Sequence, residues 1–353
     1  MKSRAKSSGY SPWKPAFGLA LLTLLAGCGE DHLKTYPQTT FAPASDFARE
    51  LDWLFKYTLV LGVLVGLFVF ALLGYIVWRF RYQPGHPEPE QVHGNARLEL
   101  LWTFIPALIL AAIAVPTVRS IFNTQREAPA NALIVQVRGY QWWWEFRYAV
   151  NGGRDTVVTA NEIHVPVGTP VQLRMTTADV LHAFWVPQMG GKRDLIPNKV
   201  NTIMFTPEEP GVYLGQCAEF CGDSHALMKM RLVAHDRGGF QQWLQNESQP
   251  APAPRDSAVM LGKQLVTKGA CAGCHTLRYG AARDSSTMGR TGPNLTHFGR
   301  RRYLAAGILE NNAENLSKWL RDPPAVKPGS KMPNLNLKDE EIRYIVAYLQ
   351  TLQ

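Results

Sequence analysis

Two short segments of this 353-residue chain concentrate the residues able to hold a metal or a redox group. In Gly215-Gln-Cys217-Ala-Glu219-Phe-Cys221-Gly-Asp-Ser-His225-Ala-Leu-Met228, two thiols four residues apart precede an imidazole and a thioether, a soft donor set suited to copper. His182, 35 residues before Cys217 and beside Phe184 and Trp185, offers a second imidazole. Other chemistries fit the same residues. Cys217 and Cys221 could close a disulfide in an oxidising compartment, or join two histidines in a closed zinc site. A mononuclear blue-copper centre needs one cysteine, so the second thiol argues against it. Further on, Cys271-Ala-Gly-Cys274-His275 has the spacing of a c-type haem attachment, in which two thioethers fix the macrocycle and the histidine meets iron. A bare Cys-x-x-Cys also suits a redox dithiol; the histidine that follows favours haem. Electron-transfer haems take a sixth ligand, usually a methionine. Met332, 57 residues after His275, is in place for that role, with Met288 as its competitor.

Composition limits what surrounds these segments. With 46% hydrophobic and 10% aromatic residues, the chain is neither disordered nor low-complexity, and its length suggests two or three folded units. Five cysteines are too few for a disulfide scaffold, and the odd count asks for a separate account of each. The net charge of +9 does not choose between nucleic acid and an anionic membrane surface. Its distribution helps: from Ala258 onward 14 basic residues face seven acidic ones, whereas Pro129 to Glu247 has ten against 11. The run Arg300-Arg301-Arg302 reads as a solvated surface, or as a docking patch for an acidic partner or an anionic membrane.

The elements that must position the two segments follow from hydrophobic pattern. Lys2, Arg4, Lys6 and Lys14 precede the apolar run Ala16 to Ala26, a secretory signal pattern. It ends in Leu25-Ala26-Gly27-Cys28, which resembles the bacterial lipobox and implies lipidation of Cys28. Tyr57 to Trp78 holds 22 residues without a charge and Leu100 to Val118 holds 19, each near the length needed to cross a bilayer. Trp53, Tyr57, Trp78 and Trp102 sit at their ends as interface anchors. Neither stretch contains a histidine, so neither can bind a haem or copper inside the membrane. Pro106 and Pro116 are tolerable in the second span where neighbouring helices satisfy the freed backbone groups. Beyond them come short β-rich runs punctuated by turn signals, read as an all-β sandwich. A Pro/Ala linker and a helical segment follow, with Asn336 as the expected N-cap of the last helix. The expected order is therefore a signal peptide (1–27), an N-terminal periplasmic segment (28–48), transmembrane helix 1 (49–82), a cytoplasmic loop (83–96), transmembrane helix 2 (97–122), the sandwich (129–247), a linker (248–257) and a haem domain (258–353).

Cys217-x-Glu219-x-Cys221-Gly-x-x-His225-x-x-Met228, with His182 upstream, resembles the binuclear CuA site of cytochrome c oxidase subunit II. The resemblance implies that His182, Cys217, Cys221, His225, Met228 and the carbonyl of Glu219 hold two coppers sharing one electron. It also implies that the Glu219 side chain reaches a magnesium ion at the boundary with the catalytic subunit. Gln141-Trp142-Trp143-Trp144 is similar to the family's aromatic stretch, which makes Trp142 the point where electrons enter; many members carry Tyr where this chain has Trp143. Glu99-x-x-Trp102-Thr-x-x-Pro106 resembles the start of the family's second helix, placing Glu99 at the entrance of a proton channel in the partner subunit. Lys192-x-Asp194-x-Ile-Pro197 is similar to the segment near the haem-bearing subunit. These matches cover about Asp46 to Glu247.

In the haem domain, Lys331-Met332-Pro333 and Gly292-Pro293-Asn294-Leu295 resemble the axial-methionine loop and the proline loop of class I cytochromes c. The combination is similar to subunit II of a caa3-type oxidase: a two-helix transmembrane hairpin, an all-β cupredoxin sandwich and an all-α cytochrome c domain. It implies electron flow from an external donor, such as cytochrome c or a quinol-oxidising complex, through haem c on Cys271 and Cys274 and then CuA to haem-copper subunit I. That partner would reduce O2 to water and pump protons. The expected location is the bacterial inner membrane, crossed twice, with both soluble domains on the periplasmic or extracytoplasmic side and no nucleic-acid partner. A CuA-containing nitric oxide reductase subunit and a stand-alone membrane-tethered carrier are the alternatives; a quinol oxidase subunit would lack the copper ligands and the haem c domain.

Overall fold

The computed structural model describes residues 36–85, 87–88, 90–251, 253–254, 256–277 and 291–353. The expected signal peptide, Cys28 and Met288 lie outside the described residues. Helix α1 (Asp46–Arg79) starts where the Ser45 side chain accepts from Ala48 N, and α2 (Ala96–Thr124) where Asn95 accepts from Arg97 N and Leu98 N. Hydroxyl and amide oxygens at these positions satisfy backbone donors that a first helical turn cannot. The α2 helix continues through Pro106 and Pro116. Both helices are long and apolar, with mean hydropathy 2.7 and 2.2 over their most apolar windows. Glu50 accepts from Ser120 Oγ at 2.8 Å and from Asn123 Nδ2 at 3.0 Å, closing the hairpin beside the sandwich.

The sandwich follows from alternation. In β1 (Leu133–Tyr140), Val135 and Val137 point inward while Gln136 and Arg138 point out. The remaining strands are β2 (Trp143–Val150), β3 (Asp155–Ala160), β4 (Glu162–Pro166), β5 (Val171–Thr177), β6 (His182–Trp185), β7 (Arg193–Leu195), β8 (Asn201–Phe205), β9 (Gly211–Cys217) and β10 (Lys229–His235). They form two five-stranded sheets, β3-β2-β1-β5-β8 and β4-β10-β9-β6-β7. The inner faces bury Trp144, Phe146, Tyr148, Phe184, Leu173 and Ile163. Between β3 and β4 the chain changes sheet at Asn161, whose φ is 63° and whose side chain accepts from Trp144 N. Asparagine tolerates this left-handed conformation better than most residues. Phe47 of α1 seats against Gly190, where a Cβ would come within 2.5 Å of its ring, so the membrane hairpin meets the sandwich through packing as well as the Ser45 Oγ bond to Met189 O.

After α3 (Arg237–Glu247), the C-terminal domain packs α4 (Ser257–Lys268) against the C-terminal helix. A two-stranded pair, β11 (Tyr303–Leu304) and β12 (Leu309–Glu310), accompanies the helices α5 (Ala313–Arg321), α6 (Pro323–Val326) and α7 (Asp339–Gln350). Asn336 is not the cap of α7. It holds φ 51° two residues earlier, and Lys338 takes the N-cap position with its N–H bonded to Glu341. The Glu341 carboxylate at the third helical position captures a free backbone donor, which outweighs the propensity of asparagine to cap.

The C-terminal domain is docked on the sandwich. Glu162, buried in the outer strand β4, accepts from Arg302 N at 2.8 Å and Tyr303 N at 2.9 Å. The Arg231 guanidinium lies 4.3 Å from the Tyr303 ring centre, and Glu247 pairs with His297 at 3.2 Å. The expected solvated patch at 300–302 is thus only partly solvated: Arg301 turns inward, with its Nε sealed from solvent. The acidic surface this run meets is the chain's own sandwich.

Within the C-terminal domain α4 and α7 approach closely at Gly262, where a Cβ would sit 2.0 Å from Tyr344 O. Gly262→Ala must separate the helices, at a cost of roughly 1–3 kcal/mol. We expect the melting temperature of this domain to fall by about 4 °C or more, followed by calorimetry; an unchanged transition would show that the helices do not meet through this contact.

Candidate metal centre and cofactor pocket

Paired strands β9 and β10 bring the ends of the 217–229 loop together, with Lys229 opposite Gln216 and Cys217 N donating to Met228 O at 2.9 Å. Neighbouring β6 sets Phe184 opposite Cys217 and presents His182 from the same sheet. The loop folds inward at Gly222, with φ 110°, a conformation that favours glycine. Cys217 Sγ then lies 3.8 Å from Cys221 Sγ, 3.9 Å from His182 Nδ1 and 3.2 Å from the Glu219 carbonyl. Cys221 Sγ lies 3.5 Å from His225 Nδ1 and 3.9 Å from Met228 Sδ. All six expected donors therefore converge, and four of them, His182, Cys217, Cys221 and Met228, are buried. The sulfurs are unpaired and too far apart for a disulfide bond. The Glu219 side chain is exposed.

Sequence reasoning missed Asp179. Its Oδ1 meets His182 Nε2 at 2.9 Å, which fixes the ring so that Nδ1 faces the sulfurs. Its Oδ2 accepts from Gln141 N. Burial pushes this carboxyl up, but hydrogen bonds from His182, Gln141 N and Val180 N prevail and hold it down to about 2. The available signal was an acidic residue three positions before a candidate ligand. The thiols differ from each other. The Cys221 hydrogen bond outweighs burial and draws Cys217 down, while the bond to Cys217 and burial push Cys221 up.

Trp142 stands directly on this loop, its indole Nε1 donating to Cys221 O at 2.9 Å beside Gln141 Nε2 at 2.8 Å. Trp143 stacks on Tyr140 at 4.3 Å and packs against Ala306 of the haem domain. Behind both tryptophans lies a cavity whose walls include Cys271, Cys274, His275 and Met332. His275 Nδ1 meets Pro293 O at 2.7 Å, leaving Nε2 for a metal, and Gly292 backs the ring so closely that a Cβ would touch it at 2.7 Å. This cavity, with attachment thiols and two axial candidates on its walls and a buried Arg301 Nε lacking a partner, fits a haem. Glu99 is not part of the cluster: it occupies the first turn of α2, at the end of the hairpin remote from the sandwich.

The fold defines a class: a membrane hairpin carrying a cupredoxin-like sandwich and a C-terminal cytochrome c domain. Residues 35–119 match the transmembrane domain of cytochrome c oxidase subunit II, 150–234 its periplasmic domain, and 259–353 cytochrome c. Cytochrome c oxidase subunit 2 of Alkalihalophilus pseudofirmus is 36% identical over 97% of this chain and 98% of that protein. The protein of the same name from a Bacillus species is 36% identical over 98% of this chain and 99% of its own length. Among solved structures, the periplasmic domain of the Bradyrhizobium japonicum subunit II is 30% identical and covers 34% of this chain and 96% of that one, with a TM-score of 0.32. The chain belongs to the cytochrome c oxidase subunit II family, in the caa3-type form with a fused cytochrome c domain. Its place is among the membrane subunits of a haem-copper terminal oxidase, with other oxidase subunits as partners.

Two outcomes follow from this geometry. Asp179→Asn keeps the shape of the residue holding His182 but removes its charge, and should lower affinity for added copper by about 10- to 100-fold in a chelator competition titration. An unchanged affinity would remove Asp179 from the site. Because Cys217 and Cys221 share a contact that favours one thiolate and one thiol, metal uptake by the copper-free chain, which needs both as thiolates, should release a proton. Its copper affinity should then rise about tenfold per pH unit around neutrality, read by calorimetry in buffers of different ionisation enthalpy; a flat profile would refute the shared proton.

Proposed function

We propose that this chain accepts electrons from an external donor, such as cytochrome c or a quinol-oxidising complex, and passes them to the catalytic subunit of a caa3-type oxidase. The single observation that carries this reading is Trp142, bonded to the metal loop at Cys221 and forming a wall of the cavity that holds Cys271 and His275. Bound here, covalent haem c and a binuclear copper pair would each supply a one-electron carrier. Cys271 and Cys274 would attach the macrocycle, and His275 and Met332 would ligate its iron. Cys217, Cys221, His182, His225, Met228 and the Glu219 carbonyl would hold the coppers. At the copper site the buried His182, Cys217, Cys221 and Met228 exclude water, so little solvent must reorganise there when charge arrives.

Further assignments come from family resemblance. The Glu219 carboxylate, exposed beside the metal loop, would hold magnesium against subunit I, and Glu99 would sit at the entrance of its proton channel. Cys28 would carry the lipid anchor. Both soluble domains attach at the same end of the hairpin, which supports a common extracytoplasmic side for them, with residues 83–96 on the cytoplasmic side of a bacterial inner membrane. Reduction of O2 to water belongs to the partner, since no histidine lies in either apolar stretch of this chain.

Metal analysis with electron paramagnetic resonance on the purified chain tests the assignment. Two coppers and one iron per chain, with a delocalised mixed-valence copper signal, are expected; one copper with localised hyperfine structure would defeat it.

A further inference from the structure

Lys327 carries an ammonium that is cut off from water. The residue is 4% exposed, and no carboxylate pairs with it among the described residues. Its Nζ instead donates to Trp142 O at 2.6 Å and to Ala305 O at 3.3 Å. Burying a cation against two neutral carbonyls costs several kcal/mol by desolvation. Burial accordingly draws its pKa down to about 7, against a smaller upward pull from Cys221. A site that retains so costly a group is a candidate for function.

The surroundings say which function. Lys327 follows α6 and opens the segment that leads to Met332. Along that segment the Pro328 carbonyl accepts from Ser224 Oγ, and Lys331 lies 3.7 Å from Asp179. Gly329, with φ 73°, passes so near the metal loop that a Cβ would lie 2.9 Å from both Trp142 Cη2 and Asp223 Oδ2. Trp142 is thereby held at two ends, its indole N–H on Cys221 O and its own carbonyl on Lys327. Lys327 also lines the cavity that contains Cys271, His275 and Met332. The charged groups nearest this corner are Arg301 and Lys331 on the cavity wall, and Asp179, Cys221 and Asp223 on the sandwich side.

We propose that Lys327 is a positioning residue for electron transfer between the two redox centres, holding Trp142 in place by its carbonyl and placing its ammonium at their boundary. This rests on the functional reading above. The transfer moves one electron from iron held by His275 and Met332 to copper held by Cys217 and Cys221: iron is oxidised, the copper pair is reduced, and no bond or proton changes hands. The ammonium acts in two ways. Its hydrogen bond keeps the indole from swinging off the Cys221 carbonyl when the domains fluctuate. Its charge would raise the midpoint of a haem bound beside it, because repulsion from the cationic ferric core is strong where water is excluded, so it is the hydrogen bond and not the charge that speeds transfer.

The test uses the full chain loaded with haem and copper. Lys327→Met keeps the length of the side chain and removes both charge and donor; Lys327→Gln removes the charge and keeps a donor for the carbonyls. After rapid photoreduction of the haem, electron arrival is followed at the copper absorption. Lys327→Met should slow transfer at least tenfold and lower the haem midpoint potential, with the copper resonance signal unchanged. Lys327→Gln should lower the midpoint similarly, and it reports on the charge even if the methionine variant fails to fold. Ser224→Ala, which cuts a neighbouring bond without touching the charge, should leave the midpoint where it was. A transfer rate in Lys327→Met within twofold of the parent, or an unchanged midpoint in Lys327→Gln, overturns the inference. If the parent itself passes no electron from haem to copper, it is the functional reading that fails.

Discussion

The hydrogen bond from the Trp142 indole to the Cys221 carbonyl is the contact around which the two candidate centres are arranged. It joins the end of β1–β2 in one sheet to the metal loop of the other, and the haem domain then closes over the same indole. A tryptophan can do this because its ring supplies a large apolar face while its single N–H takes a defined partner. Asp179 belongs to the same constraint: it receives Gln141 N, the residue before Trp142, and also fixes His182. Aromatic wall and ligand geometry are therefore set by one short stretch of chain.

Docking of the haem domain has a different physical basis from tethering. A linker of about ten residues would hold a free domain at an effective concentration near millimolar. The seam goes further, through Glu162 with the backbone at Arg302 and Tyr303, Glu247 with His297, and Lys229 N with Ala306 O. Most of its bonds end on backbone groups or buried charges, which specify register more than they add affinity. His164 and His235, 2.8 Å apart and stacked near Trp243 behind this seam, are kept neutral by burial and by the nearby Arg302.

Among the described residues, nothing covers the apolar surface of the hairpin. The most apolar windows of α1 and α2 have no buried residues, and the contacts that close the pair, such as Glu50 with Ser120, cluster at the sandwich end. Lipid and the other oxidase subunits are what such helices require.

Local pattern was enough to place the hairpin, the alternating strands and both cofactor motifs, because each depends on spacing along the chain: about 20 apolar residues for a bilayer, period two for a strand, two residues between attachment cysteines. The donors on the 217–228 loop were legible for the same reason. Tertiary structure alone decided the rest. Asp179 acts through a side chain brought against His182 by a strand end, Arg301 turns inward because the sandwich supplies Glu162 and Glu247, and Lys327 is buried only because a second domain covers it. Asn336 lost the cap to Lys338 once Glu341 reached the free N–H. Each of these outcomes depends on what lies across a packed boundary, and desolvation, unlike spacing, has no signature in the order of residues.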